Sequence, residues 1–328
     1  MIIRDGILFH NVEEMIPVED GWQLCRFPEE VRLRLNNAAQ FHAYQCGGVE
    51  LRFRMVSEEI NIYMRTPDDT EALPALIYFG GFQGSWDQSA RTVGTTRSCL
   101  HLRKPKNIHW LREAMEGREM IYDPDMVRIF LPCNVCIYMG IDGEVEPPHP
   151  GDATDKRLLS YGSSITHASL ALGAHQSYAY QLARSLGYDS INLGLAGSCH
   201  LEKDMAEYIC ARKDWDVMTV EMGINMLGFT EEDFRARVRT FVDMMAADGR
   251  PVFVTSLFAY LGENQEKGDA FRRIVKEETE GKLPFIDGLE LMGDKTLLAE
   301  DLVHPAVEAH TMIAQRWAAL IRKQMKAE

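Results

Sequence analysis

The 328-residue chain lacks any run near the roughly 18 apolar residues that a membrane-spanning helix needs, which excludes a helical membrane anchor. It is also short of positive charge. Its 35 Lys and Arg stand against 49 Asp and Glu, a net charge of −14, whereas phosphate binding needs a basic face, so a nucleic-acid partner is excluded. The one basic run, Arg103-Lys104-Pro105-Lys106, reads as a solvated loop in preference to an anion contact. Cysteine is sparse: seven residues, odd in number and scattered, suit reduced thiols in a cytosol and not a disulfide framework. Cys133-Asn134-Val135-Cys136 has the spacing of a metal knuckle, but no second pair or histidine cluster completes it, and residues 127–139 read as strand. No metal and no cofactor is expected. Met1-Ile2-Ile3-Arg4-Asp5-Gly6 reaches charge before any apolar run forms, unlike a signal peptide, so the expected location is cytoplasmic.

What is present is an ordinary soluble composition, 46% hydrophobic and 26% charged, in a chain long enough for two domains. Residues 1–145 are β-rich. Residues 31–35, 49–54 and 60–64 alternate apolar and polar side chains with the period of a half-buried strand, and 75–79, 127–131 and 136–139 add further strands. One helical patch, 107–115, interrupts them, and the pattern predicts a β-sandwich or jelly roll. A linker follows at 146–156, where Pro147, Pro148 and Pro150 with Gly151 exclude both helix and central strand. From 157 to 328 strands (158–161, 190–193, 217–220, 251–257, 285–286) alternate with helices (177–186, 202–212, 231–247, 267–280, 306–326). That repetition predicts an α/β domain with a parallel sheet covered on both faces.

Four segments of the second domain carry chemistry, each just past the carboxyl end of a strand or at the edge of the last helix, where such sheets bind ligands. In Tyr161-Gly162-Ser163-Ser164-Ile165-Thr166, a serine hydroxyl needs a neighbouring base to act as nucleophile; a lone serine there more often caps a helix, and Ser163 and Thr166 are read so. In Asn192-Leu193-Gly194-Leu195-Ala196-Gly197-Ser198, Gly197 either lets a backbone N–H approach a ligand or serves a turn that needs positive φ. In Glu221-Met222-Gly223-Ile224-Asn225, the Asn225 amide can donate to an oxyanion or cap a loop. In Asp301-Leu302-Val303-His304-Pro305, the Asp and His can face the same way on one turn, so that the carboxylate accepts from one imidazole nitrogen and leaves the other for a serine proton. Pro305 suits the first position of the final helix.

Taken together and in this order, the four blocks resemble the SGNH (GDSL-type) hydrolase superfamily over residues from about 157 to 325. The resemblance implies Ser164 as nucleophile, His304 as base, Asp301 as its partner, and an oxyanion hole from the Ser164 and Gly197 backbones and the Asn225 side chain. Ser163 stands where the first block usually has Asp, a variant similar to the branch with an N-terminal β-sandwich domain that includes carbohydrate acetylesterases and a few acyltransferases. Leu302 stands where the fourth block commonly has glycine, and it is expected to shape the pocket.

The expectation is therefore a serine esterase acting through an acyl-enzyme, with a small acyl ester as partner: an acetyl group, by resemblance, on a sugar or oligosaccharide. His304 must be neutral to act, so activity should fall below about pH 6, where an ordinary imidazole protonates. Two alternatives stand beside it: an acyltransferase with the same triad, and a non-catalytic carbohydrate-binding protein. His167, His175 and His200 can line the pocket mouth, though loop histidines bonded to backbone are the plainer reading. Met222, Ile224, Met226 and Leu227 can form an acyl site or ordinary core, and Trp86 and Trp110 can stack on a sugar or lie buried in the sandwich. The first domain is compatible with substrate binding, rim loops or subunit contact, and a homo-oligomer stays open.

Overall fold

A computed structural model of the protein describes residues 1–67, 69–119 and 121–326. The backbone clusters into two compact units, Met1–Glu29 with Ala43–Asp155, and Glu30–His42 with the chain from Lys156 onward. A short piece of the N-terminal stretch thus belongs with the C-terminal unit.

The first unit holds two antiparallel sheets. The larger is built on Glu50–Met55, Met126–Phe130 and Leu73–Phe79, the smaller on Ser98–Arg103, Glu59–Arg65 and Ile137–Asp142. Ile60, Ile62 and Met64 from one sheet and Leu51, Phe53, Ile77 and Ile129 from the other share one buried cluster, as two faces of a sandwich do. In Glu59–Arg65 the alternation reads directly as burial, with every second side chain inside. In Glu50–Met55 it does not, because the polar positions are covered too. Arg128 grips the Glu50 carboxylate with two bonds of 2.7 and 2.8 Å, and Arg52 adds a third of 3.0 Å. All three residues are buried, and Arg128 also stacks 3.4 Å from the centre of the Tyr122 ring. Desolvation opposes the Glu50 charge, but the two guanidiniums outweigh it and hold the carboxyl below its usual range. This unit runs on to Asp155 because Arg54 clamps Asp152 through bonds of 2.7 and 2.6 Å, leaving Asp152 buried inside the stretch expected as exposed linker.

Residues 31–35 are not a strand. Glu29–Arg32 is a helical turn, closed by Arg34 N–H to Val31 and Leu35 N–H to Arg32, and it buries Val31 and Leu35 four positions apart. Five residues of alternation were too few to distinguish period 2 from a single helical turn.

The second unit has a five-stranded parallel sheet in the order Asp189–Asn192, Arg157–Tyr161, Val217–Met222, Val252–Ser256, Phe285–Ile286. Tyr178–Leu186 and Val307–Met325 pack on Leu158, Val217, Phe253 and Ile286, burying Tyr178 and Trp317 with rings stacked at 5.8 Å. Lys203–Ala211, Glu231–Asp248 and Gln265–Thr279 form a second helical group, in which Phe234 stacks on Phe271 and Phe241 stacks on Tyr161 of the sheet. Helices on both faces of a parallel sheet make a three-layer α/β domain. Because the first strand lies between the second and the third, the connections that follow the first and the third strands run to opposite sides. That opens a crevice where loops from all three strands meet.

Candidate active site

The loop leaving the first strand turns into a single helical turn, Ser164–His167. Ser163 is its cap, accepting the Ile165 N–H at 3.2 Å, which fixes the turn and leaves the adjacent Ser164 hydroxyl free to face the crevice. Thr166 is engaged elsewhere, paired with the Tyr178 hydroxyl at 2.6 Å. Beneath the loop lies Glu221, whose carboxylate accepts the Ser163 N–H at 2.9 Å. Burial is the main influence on Glu221 and raises its carboxyl, against the hydrogen bonds from Ser163.

Asp301 and His304 meet Ser164 from the far end of the chain. One Asp301 oxygen accepts the N–H groups of Val303 and His304, both at 3.0 Å, and the other lies 2.5 Å from His304 Nδ1. Partial burial opposes ionisation of Asp301, but those N–H groups and the imidazole outweigh it and hold the carboxyl below its usual value. A carboxylate can only accept, so the hydrogen-bond network assigns the imidazole proton to Nδ1 and leaves Nε2 as acceptor. Nε2 lies 2.7 Å from Ser164 Oγ, across 140 residues of sequence. The Pro305 expectation is corrected: the final helix starts at Val307, and Pro305 bridges Leu298 before it.

Leu302 takes φ +58°, the left-handed region where glycine is at ease. This is the position where the resemblance expected glycine. The Leu302 side chain does not line the pocket, contrary to expectation; its neighbour Val303 does.

The second and third strands deliver the remaining groups. Gly197 lies at φ +62°, and a Cβ there would meet nothing within 4 Å, so conformation rather than crowding requires this glycine. Gly194 is the opposite case: a Cβ would come within 2.3 Å of the His167 backbone nitrogen, where this loop packs on the nucleophile turn. Asn192 joins the two, donating to Thr166 O at 2.7 Å and accepting from Gly194 N–H at 2.8 Å. Asn225 Oδ1 accepts the Cys199 N–H at 3.2 Å, so its amide nitrogen is the end left to donate.

Ser164, His304, Asp301, Gly197 and Asn225 all border one open pocket of about 670 Å³. Ile224 and Leu227 line it, while Met222 and Met226 are core, which divides the expected acyl group of four. Leu170, Leu261 and Val303 add to its apolar wall. None of His167, His175 and His200 borders it; the histidine that does, apart from His304, is His42, from the segment that sequence reading assigned to the first domain. No signal in the sequence pointed to it. Trp86 and Trp110, in the first unit, are exposed at 96% and 59%, so burial in the sandwich does not account for them. Among the described residues no group of three or more His, Cys, Asp or Glu could hold a metal ion, and no helix is long and apolar enough to cross a membrane.

A hydroxyl bonded to an imidazole that is itself bonded to a carboxylate, beside an amide donor, is equipped for acyl transfer. The family described as GDSL-like Lipase/Acylhydrolase matches residues 160–312, which include all five residues. This chain carries a GDSL-like hydrolase domain. Solved structures extend the likeness to the full length. A salicylyl-acyltransferase from a tetracycline biosynthetic pathway aligns over 96% of this chain and 95% of its own, with TM-score 0.73 and 17% identity. A family two carbohydrate esterase from Clostridium thermocellum, solved in complex with cellohexaose, aligns over 98% and 99%, with TM-score 0.64 and 14% identity. An acetyl xylan esterase from the rumen bacterium Butyrivibrio proteoclasticus aligns over 99% and 96%, with TM-score 0.56 and 13% identity. These likenesses show a shared fold, a sandwich followed by a three-layer domain. No curated protein matches the sequence.

Proposed function

We propose that the protein is a serine esterase that removes a short acyl group, acetyl first among them, from a carbohydrate or similar polyol. The observation that carries this reading is the His304 ring, set 2.7 Å from Ser164 Oγ on one side and 2.5 Å from Asp301 on the other. In the proposed reaction Nε2 takes the Ser164 proton as Oγ attacks the ester carbonyl. Asp301, ionised and held by two N–H groups, stabilises the imidazolium that forms. The oxyanion develops against the Asn225 amide and the Ser164 and Gly197 N–H groups, each such donor contributing about 3 kcal/mol. Collapse of the adduct passes the proton from Nε2 to the leaving alcohol, and water, activated by the same imidazole, then releases the acid. The carbohydrate part of the reading is supported by the names of two structurally similar esterases.

A second reading, acyl transfer to an alcohol acceptor, is favoured by the apolar wall of Leu170, Ile224, Leu227, Leu261 and Val303, which suits a larger acyl group or acceptor than an acetylated sugar demands. The structurally similar salicylyl-acyltransferase agrees with it.

A fluorophosphonate probe followed by peptide mapping tests the nucleophile. The adduct is expected on Ser164, and an adduct on Ser163 or none at all contradicts the assignment. Product analysis with acetyl, butyryl and benzoyl esters, with and without added alcohol, separates the readings. Acetyl preference with free acid as product supports hydrolysis. Benzoyl preference, with transfer outpacing hydrolysis at low acceptor concentration, replaces it with the second reading.

A further inference from the structure

The segment Glu30–His42 clusters with the catalytic unit, and Asn36 bonds it to that unit at Ser198 and Glu202. Asn36 Oδ1 accepts the Ala39 N–H at 3.0 Å and caps the helix Asn37–His42, whose last residue reaches the pocket. The other end of the same amide faces the oxyanion loop. Its nitrogen donates to the Ser198 carbonyl at 3.0 Å and to Glu202 at 2.5 Å.

The Ser198 carbonyl belongs to the peptide group whose N–H is that of Cys199, and this N–H is the one that Asn225 Oδ1 accepts at 3.2 Å. One rigid peptide plane is therefore held from both edges, by Asn36 at its oxygen and by Asn225 at its nitrogen. The bonds run in series: Asn36 amide to carbonyl, peptide N–H to Asn225 oxygen, and Asn225 nitrogen left to donate. Polarisation along such a chain strengthens each member, and the plane fixes which way the Asn225 amide is turned. Gly197 immediately precedes Ser198, so the same anchor restrains the second backbone donor. Ser198 is fully buried, which leaves its carbonyl dependent on a partner from the protein.

We propose that Asn36 is a positioning residue of the oxyanion hole, acting on Asn225 through the Ser198–Cys199 peptide. A residue in the β-rich N-terminal stretch is thus built into the ester site. The inference rests on the esterase reading above and adds a residue that none of the four sequence blocks contains.

The test uses the full-length protein and p-nitrophenyl acetate. Asn36→Ala is expected to lower kcat by about 10- to 100-fold with KM within about twofold, the range that displacing an oxyanion donor produces. Affinity for phenylboronic acid, which mimics the tetrahedral adduct on Ser164, is expected to fall in parallel. Because Asn36→Ala also removes the helix cap, Asn36→Asp combined with Glu202→Gln is the second variant. It keeps the cap and the charge balance but removes the donor that position 36 offers the Ser198 carbonyl, and the same split is expected. A double-mutant cycle with Asn225→Ala should be non-additive, since both residues act through one donor. Folded variants with wild-type kcat and boronate affinity, or additive losses in the cycle, overturn the inference while leaving the esterase reading intact. A wild-type protein without Ser164-dependent hydrolysis overturns both.

Discussion

Three of the proposed catalytic side chains are held by groups on or next to the loops that carry them. Ser164 is aimed by its neighbour's cap, Asp301 by the N–H groups two and three residues on, and Asn225 by the Cys199 N–H. Leu302, beside the pocket, shares with Leu170 of the pocket wall a left-handed φ that suits glycine better than leucine. A non-glycine residue in the left-handed region costs about 1–2 kcal/mol. Its backbone bonds, N–H to Ala299 and carbonyl to Leu261, need no side chain. Leu302→Gly is therefore expected to raise the melting temperature, with kcat within about twofold of wild type. A lower melting temperature together with lost activity would mean that the leucine side chain is holding the turn. At this scale the sequence was legible where a residue type has few uses, as for the Asp and His three apart. It was not legible for Asn36, Asn192 and Glu221, because the same residue types cap loops and coat surfaces everywhere, and only their partners set them apart.

Among the elements, the parallel strands and their helices stood out because long apolar runs and amphipathic repeats each have one satisfactory burial. The strand Glu50–Met55 shows the limit of that logic. Alternation placed its apolar face correctly, yet the polar face also went inside, since Glu50, Arg52 and Arg128 satisfy one another there. Such a network tolerates the loss of a member poorly. Glu50→Ala leaves two buried guanidiniums without their carboxylate, and breaking a buried pair costs about 3–5 kcal/mol. Urea denaturation of Glu50→Ala should show that loss in the first unit, and a loss under about 1 kcal/mol would mean that water or relaxation replaces the carboxylate. Residues 31–35 were misread for a related reason: burial four apart and burial two apart coincide over so short a stretch.

For the molecule as a whole, a boundary was readable in the sequence only as a change in texture after the proline cluster. The passage of Glu30–His42 into the second unit was not, because nothing in composition marks that segment. Acid sensitivity also belongs to this scale. Burial, assisted by the nearby His304, depresses His310 to about 4, while His175 and His200 are lowered mainly by burial. The folded state keeps these rings neutral, whereas an unfolded chain protonates them near pH 6.5. Between about pH 6.5 and 4 the unfolded state therefore binds more protons, so stability is full above that window and is lost as pH falls through it. Melting temperatures measured from pH 7.5 down to 5 should decline, and less steeply in His310→Gln; identical slopes would assign the decline to other groups.

The central claim is that Ser164, driven by His304, performs the chemistry. It is tested most directly by p-nitrophenol release from p-nitrophenyl acetate, comparing wild type with Ser164→Ala at equal folded concentration. The expected result is a fall in kcat of about 10⁴-fold or more, as removal of such a nucleophile produces, with Ser163→Ala far less affected. A folded Ser164→Ala protein that turns over at the wild-type rate contradicts it.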